Sequence, residues 1–189
     1  MSNQDFTICY IGRPSYQKNV QFLIEIVRCA VVKIPNIKFY LLGVGYYSPE
    51  LSAVQTLIKE YSLENYIQLI DWLPQEEIFK YVSQADIYLS TSLYEGLPLS
   101  VIEVMSLGKP IIATDVVGNR DCVFEGENGY LMPFDKDMFV DKIVELHQNQ
   151  ELREKMGVRS RELFLEHFCI DTQIDKLKQI YENIANKKQ

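Results

Sequence analysis

Between residues 6 and 134 the chain alternates short apolar runs with stretches whose apolar residues recur at helical spacing, joined by only a few residues each time. That alternation restricts the fold more than any other feature. Strands joined by short helical crossovers run parallel and right-handed, and they stack into a doubly wound α/β sheet. The runs at 6–11, 37–42, 66–70, 85–89, 109–113 and 129–132 read as strands. They are mostly apolar and alternate little, as strands covered on both faces do. Helical spacing is found at 17–33, 49–61, 75–84 and 100–107, with Pro49 at a favoured first-turn position. From 135 the pattern turns purely helical, at 135–147, 151–166 and 171–185. The expected architecture is a Rossmann-like, doubly wound parallel sheet of about six strands with C-terminal helices. One domain would span 1–189, with an α/β core over about 6–134 and a helical tail over about 135–189. The tail is expected to pack on its own domain or cross to a neighbouring one, and to leave an apolar face open to self-association.

Composition fits this and removes several functions. A chain of 189 residues that is 47% hydrophobic suits one well-cored domain. Its net charge of −7 gives it no general attraction for nucleic acid or anionic lipid, so any anion must be held by a local site. The apolar runs fall short of the roughly 20 residues that span a bilayer. The start of the chain lacks the basic patch and apolar run of a signal peptide. Cys9, Cys29, Cys122 and Cys169 are scattered, Cys9 and Cys29 in apolar surroundings, and His147 and His167 flank no other ligand type at useful spacing. Reduced core thiols, a cytoplasmic setting and no structural metal are expected.

In an open parallel sheet, ligands bind beyond the carboxyl ends of the strands. In the first such loop, Gly12 lets the backbone turn, and Arg13 and Lys18 sit beside a helix start. Two cations at the positive end of a helix are misplaced by a few tenths of a kcal/mol, roughly, unless an anion binds there. Two solvated cations and a phosphate site both fit. After the fourth strand runs Tyr94-Glu95-Gly96-Leu97-Pro98-Leu99-Ser100-Val101-Ile102-Glu103. Ser100 and Glu103 have the spacing of a capping box. The same loop offers amides to an anion, a carboxylate at Glu95 ahead of the helix, and one at Glu103 that could accept from sugar hydroxyls. Gly43-Val44-Gly45 lacks the third glycine of a dinucleotide fingerprint and reads as a tight turn. Asn128-Gly129 reads as a turn signal, and Trp72 as a partly buried core residue or the wall of a base pocket.

These stretches together resemble the C-terminal, donor-binding domain of the GT-B-fold glycosyltransferases, specifically the retaining family four (glycosyl transferases group 1). The similarity runs from about 8 to 134. It is carried by Gly12-Arg13 with Lys18, by Leu42-Gly43-Val44-Gly45, and above all by the E-x7-E spacing of Glu95 and Glu103 within SLYEGLPLSVIEVMSLGKPIIATDVVG. Gly118-Asn119-Arg120-Asp121 is similar to a variant in members that build bacterial surface polysaccharides. The resemblance implies transfer of a hexose from a nucleotide sugar, with UDP as the expected nucleotide, to a glycan or lipid-linked acceptor with retention. It names Arg13, Lys18 and Glu95 as the catalytic set. Gly12, Arg13 and Lys18 would hold the donor diphosphate. Gly96, Leu97, Pro98, Leu99 and Ser100 would line the phosphate and sugar, with amides from all but the proline. Glu95 would hold the sugar and Glu103 the ribose, and 70–73, with Ile70 and Leu73, would line the base pocket. Asp71 departs from the glycine common there.

No catalytic metal or cofactor is implied, the nucleotide sugar being a substrate, and nucleic acid is no partner. The family's acceptor-binding N-terminal domain is expected to be absent from this chain, leaving it unable to transfer sugar alone. In the whole enzyme the resemblance leaves room for peripheral association with the inner face of the membrane. A sugar-nucleotide epimerase, a phosphorylase-like domain and a non-catalytic nucleotide-binding module are the alternatives.

Overall fold

The computed structural model describes residues 5–45 and 47–186. Six strands, β1 (Phe6–Ile11), β2 (Ile37–Leu42), β3 (Ile67–Ile70), β4 (Ile87–Ser90), β5 (Ile111–Thr114) and β6 (Gly129–Met132), form one sheet in the order β3-β2-β1-β4-β5-β6. Every pairing is parallel, with β1 in the middle beside both β2 and β4. The helices are α1 (Val20–Lys33), α2 (Leu51–Glu60), α3 (Gln75–Gln84), α4 (Leu99–Ser106), α5 (Val117–Arg120), α6 (Lys136–Gln148), α7 (Gln150–His167) and α8 (Ile170–Asn186).

Strand residues point alternately to the two faces, so each strand feeds two cores. Ile8, Tyr10, Phe39 and Leu41 pack with Leu23, Ile24 and Val27 of α1, Val54 and Ile58 of α2, and Phe139 and Ile143 of α6. Cys9, Leu42, Ile70 and Tyr88 pack on the other face with Val82 of α3, Val101, Val104 and Met105 of α4, and Leu163 of α7. The tail therefore splits: α6 covers one face against α1 and α7 the other against α4. Gly157 of α7 lies so near Gly108 that an added Cβ would come within 2.4 Å of the Gly108 carbonyl oxygen. Helix α8 touches α7 and buries none of its residues, leaving Ile170, Ile174, Leu177, Tyr181 and Ile184 exposed. Among the described residues, no helix is long and apolar enough to cross a membrane.

Several local expectations change. The first helix begins at Val20, because 17–19 form a turn and Asn19 sits in left-handed conformation at φ 48°. Pro49 precedes α2, whose N-cap is Glu50. The capping box does not form. Pro98 is the N-cap of α4, Ser100 lies inside its first turn, and its hydroxyl accepts from the Tyr88 hydroxyl at 3.1 Å. Trp72 is 76% exposed, not a core residue. Asn128 is buried and bonded to Cys122 and Phe124, so 128–129 does more than turn the chain. Cys9 and Cys122 are buried, and burial pushes both thiols up to about 12, whereas Cys29 is only half-buried.

Candidate active site

The strand order reverses between β1 and β4. Their exit loops lead one into α1 and the other into α4, and at such a reversal open parallel sheets place their ligand crevice, beyond the carboxyl ends of the strands. The loops are tied across the crevice. The Leu93 amide donates to the Gln17 carbonyl at 2.8 Å, the Thr91 hydroxyl to the Lys18 carbonyl at 3.0 Å, and the Gln17 side-chain amide to the Tyr94 carbonyl at 3.1 Å. Gly12 turns the chain out of β1 at φ +153°, and a Cβ there would meet the Tyr10 hydroxyl at 2.9 Å. That hydroxyl is buried and bonded to no described group. Burial, with Tyr88, Glu95 and Glu50 nearby, raises its pKa well above the usual phenol value, so it stays protonated.

Lys18 and Glu95 meet across this crevice. Lys18 Nζ donates to Glu95 Oε1 at 2.6 Å, with the side chains 22% and 7% exposed. Ser92 Oγ donates to the same oxygen at 2.7 Å and Gln17 Nε2 to Oε2 at 3.3 Å. The cation beside α1 is thus neutralised by a carboxylate that three donors orient. An ammonium has three N–H groups, so Lys18 keeps capacity for a ligand oxygen.

The other residues singled out from the sequence divide. Arg13 is exposed, has no ion pair among the described residues, and lines a groove of about 430 Å³ with Gly43, Gly45, Tyr47, Ser48, Asp71 and Trp72. The Ser48 hydroxyl in this groove is buried and has no hydrogen-bond partner among the described residues. Ile70 belongs to the core, and Leu73 is half-buried against it; within 70–73 the exposed residues are Asp71 and Trp72. Asp71 is accommodated because residue 45 is glycine: a Cβ there would stand 1.7 Å from Asp71 Oδ1, which accepts from the Trp72 amide at 2.6 Å. Glu103 accepts from Gln75 Nε2 at 3.0 Å, linking α4 to α3, and is not in contact with the Lys18–Glu95 pair. Gly96, Leu97 and Leu99 are exposed beside the start of α4, and Pro98 is buried. First-turn amides lack helical partners and face whatever occupies the site.

Ser92 and Gln17 were not legible as functional. Their one sequence signal is proximity, Ser92 three residues before Glu95 and Gln17 beside Lys18. A larger groove, about 600 Å³, lies at the opposite end of the sheet between Asp86, Lys109, Arg153 and Arg161. It lies at the amino ends of the strands, away from the edge where open parallel sheets bind ligands, and its cations share it with Asp86, Glu154 and Glu162. The crevice at β1 and β4 is the better candidate.

Comparison with known proteins gives the family and the fold. The family model described as glycosyl transferases group 1 matches residues 2–163. The chain is 30% identical over 190 residues to the GtfA subunit of the UDP-N-acetylglucosamine–peptide N-acetylglucosaminyltransferase of Streptococcus pneumoniae, covering 96% of this chain and 36% of that protein. It is 27% identical over 192 residues to the UDP-Gal:alpha-D-GlcNAc-diphosphoundecaprenol alpha-1,3-galactosyltransferase of Escherichia coli, covering 99% and 48%. Among solved structures, pneumococcal GtfA in complex with UDP and GlcNAc superposes with a TM-score of 0.82 at 29% identity, over 97% of this chain and 37% of that one. TarM of S. aureus, solved with UDP, gives 0.84 at 27%, over 94% and 35%. The chain spans less than half the length of each of these relatives.

Proposed function

This chain belongs to the glycosyl transferases group 1 family and has the fold of a GT-B glycosyltransferase domain, and from that premise we propose that it is the donor-binding half of a retaining hexosyltransferase using a UDP-sugar. The observation that carries this reading is the Lys18–Glu95 pair, 2.6 Å apart at the point where the strand order reverses. UDP is favoured because relatives of matching fold were solved with it.

Arg13 and Lys18 hold the diphosphate, with the amides of Leu97, Leu99 and Ser100 against phosphate or sugar oxygens. The groove walled by Arg13, Ser48, Asp71 and Trp72 takes the base end of the nucleotide. Glu103 accepts from the ribose hydroxyls once Gln75 yields it. Glu95 accepts from the hydroxyls of the hexose and fixes its angle to the acceptor. The bond from the anomeric carbon to the diphosphate oxygen breaks, and the acceptor oxygen bonds to the same face. The acceptor's proton leaves with the diphosphate. Charge builds on the departing diphosphate, and pre-placed cations stabilise that charge more than the ground state. The protein's own cations do this work, so the reading requires neither metal nor cofactor.

A second domain supplies the acceptor site and closes over the donor, which positions the reactants and excludes water. This chain alone is therefore expected to bind donor without transferring sugar. The acceptor is a glycan or a lipid-linked sugar of surface polysaccharide synthesis, met at the inner face of the membrane. The E. coli relative, named for a diphosphoundecaprenol-linked acceptor, supports that choice.

Calorimetry with UDP-, GDP- and ADP-sugars tests the reading. A UDP-sugar should bind with Kd of about 1 mM or tighter, near −4 kcal/mol. Glu95→Gln should weaken the UDP-sugar about tenfold and UDP less than about twofold, while Glu103→Gln weakens both. Silence with every nucleotide at millimolar concentration would leave an interaction module as the better account. Equal effects of Glu95→Gln on both ligands would remove its sugar role.

A further inference from the structure

We propose that Gly118 and Asn119 are positioning residues for the donor sugar, acting through Glu95; the inference rests on the donor-binding reading above. Helix α5 is only four residues long; Val117 is 71% exposed, while Gly118 and Asn119 are buried. What it touches is the Glu95 loop, by two separate routes.

The first route is through the backbone. The Gly118 amide donates to the Glu95 carbonyl at 3.2 Å. A Cβ on Gly118 would lie 2.4 Å from the Gly96 carbonyl oxygen and 2.8 Å from the Glu95 carbonyl carbon and oxygen. All three are main-chain atoms, so no side-chain rotation relieves the clash. Gly118 is not among the residues of positive φ, so the glycine answers a need for space, not for conformation. Any larger residue forces α5 and the Glu95–Gly96 main chain apart, and with that loosens the hold on Glu95.

The second route reaches the carboxylate. Asn119 is fully buried, and its Nδ2 donates to the Thr114 carbonyl at 2.9 Å. Thr114 Oγ1 donates to the Ser92 carbonyl at 2.6 Å, and Ser92 Oγ donates to Glu95 Oε1 at 2.7 Å. The segment therefore holds Glu95 at both ends, its main chain through Gly118 and its side chain through Asn119, Thr114 and Ser92. A carboxylate that reads a sugar hydroxyl must sit within a few tenths of an ångström of its place, and such supports decide whether it does.

The test is a double-mutant cycle read by calorimetry on this chain. The ligands are UDP and whichever of UDP-glucose, UDP-galactose and UDP-N-acetylglucosamine binds most tightly. Gly118→Ala is expected to weaken the UDP-sugar about tenfold and UDP less than about twofold. On the Glu95→Gln background the same substitution should cost nothing further, because the group it positions is already lost. Should Gly118→Ala fail to fold, Thr114→Val, which removes one hydroxyl at nearly constant volume, carries the same cycle with the same expectation. Equal losses for both ligands, or a loss on the Glu95→Gln background as large as on the wild type, would overturn the proposal and leave a merely structural role. If Glu95→Gln by itself changed neither affinity, the donor-sugar reading would fail, and the proposal with it.

Discussion

Lys18→Ala is expected to weaken nucleoside-diphosphate binding by about tenfold or more, near 1.4 kcal/mol, and also to destabilise the unliganded fold. The affinity loss follows from removing a cation beside the phosphate site. The stability loss follows from what remains. Glu95, 7% exposed in the native pair, would keep Ser92 and Gln17 but lose its counter-charge. Breaking a fully buried pair by removing one partner costs about 3–5 kcal/mol. Lys18 is itself 22% exposed, and water reaching that side lowers the expected cost to about 2 kcal/mol. A thermal melt of Lys18→Ala should therefore fall by several degrees. Adding Glu95→Gln should restore much of that, since a neutral amide needs no cation, yet leave nucleotide affinity low. A single variant with unchanged melting and unchanged affinity would reduce the pair to a surface contact of no consequence.

Gly129→Ala should have the largest effect on the fold. Gly129 opens β6 opposite Ile111 of β5, and an added Cβ would stand 1.9 Å from the Ile111 carbonyl oxygen and 2.8 Å from its carbonyl carbon. Those atoms belong to the sheet, so relief requires β5 and β6 to part. Overpacking of this kind costs roughly 3 kcal/mol, or about 10 °C in a chain of this size. Strand β5 also ends in Thr114, part of the Glu95 support, so UDP-sugar binding should weaken in parallel. Gly96→Ala is the contrasting case. Nothing lies within 4 Å of its Cβ position and its φ is not positive, so melting should stay within about 0.5 kcal/mol of wild type. Melting curves of both variants check this; a Gly129→Ala protein as stable as Gly96→Ala would mean that β6 is not anchored as described.

The alternation of apolar strands and amphipathic helices was enough to name the sheet, its parallel sense and its strand count, because burial on both faces is written residue by residue. The adjacency of β1 and β4 was not legible in that pattern; Lys18 and Glu95 were named together on the family resemblance, and the structure brings them together. Details that depend on one side chain's partner were not legible. Ser100 has the spacing of a cap, but Pro98 starts the helix earlier and Tyr88 takes the serine hydroxyl. Trp72 has the composition of a core residue, yet Asp71 holds its amide and turns the segment outward. Ile70 continues the alternation of β3 into the core, leaving Asp71 and Trp72 at the groove. Helix α5 carries no apolar period, and its contact with the Glu95 loop is a main-chain hydrogen bond from Gly118 that no local pattern announces. Local pattern predicts burial well; which polar group meets which across the fold is settled by packing between distant segments.

Amide chemical-shift mapping during a titration with UDP tests the central claim most directly. The account predicts that the perturbed amides cluster at 12–19, 43–48, 71–73 and 93–103, along the carboxyl edge of β1 to β4. Shifts gathered instead around Asp86, Lys109, Arg153 and Arg161, at the opposite end of the sheet, would contradict it.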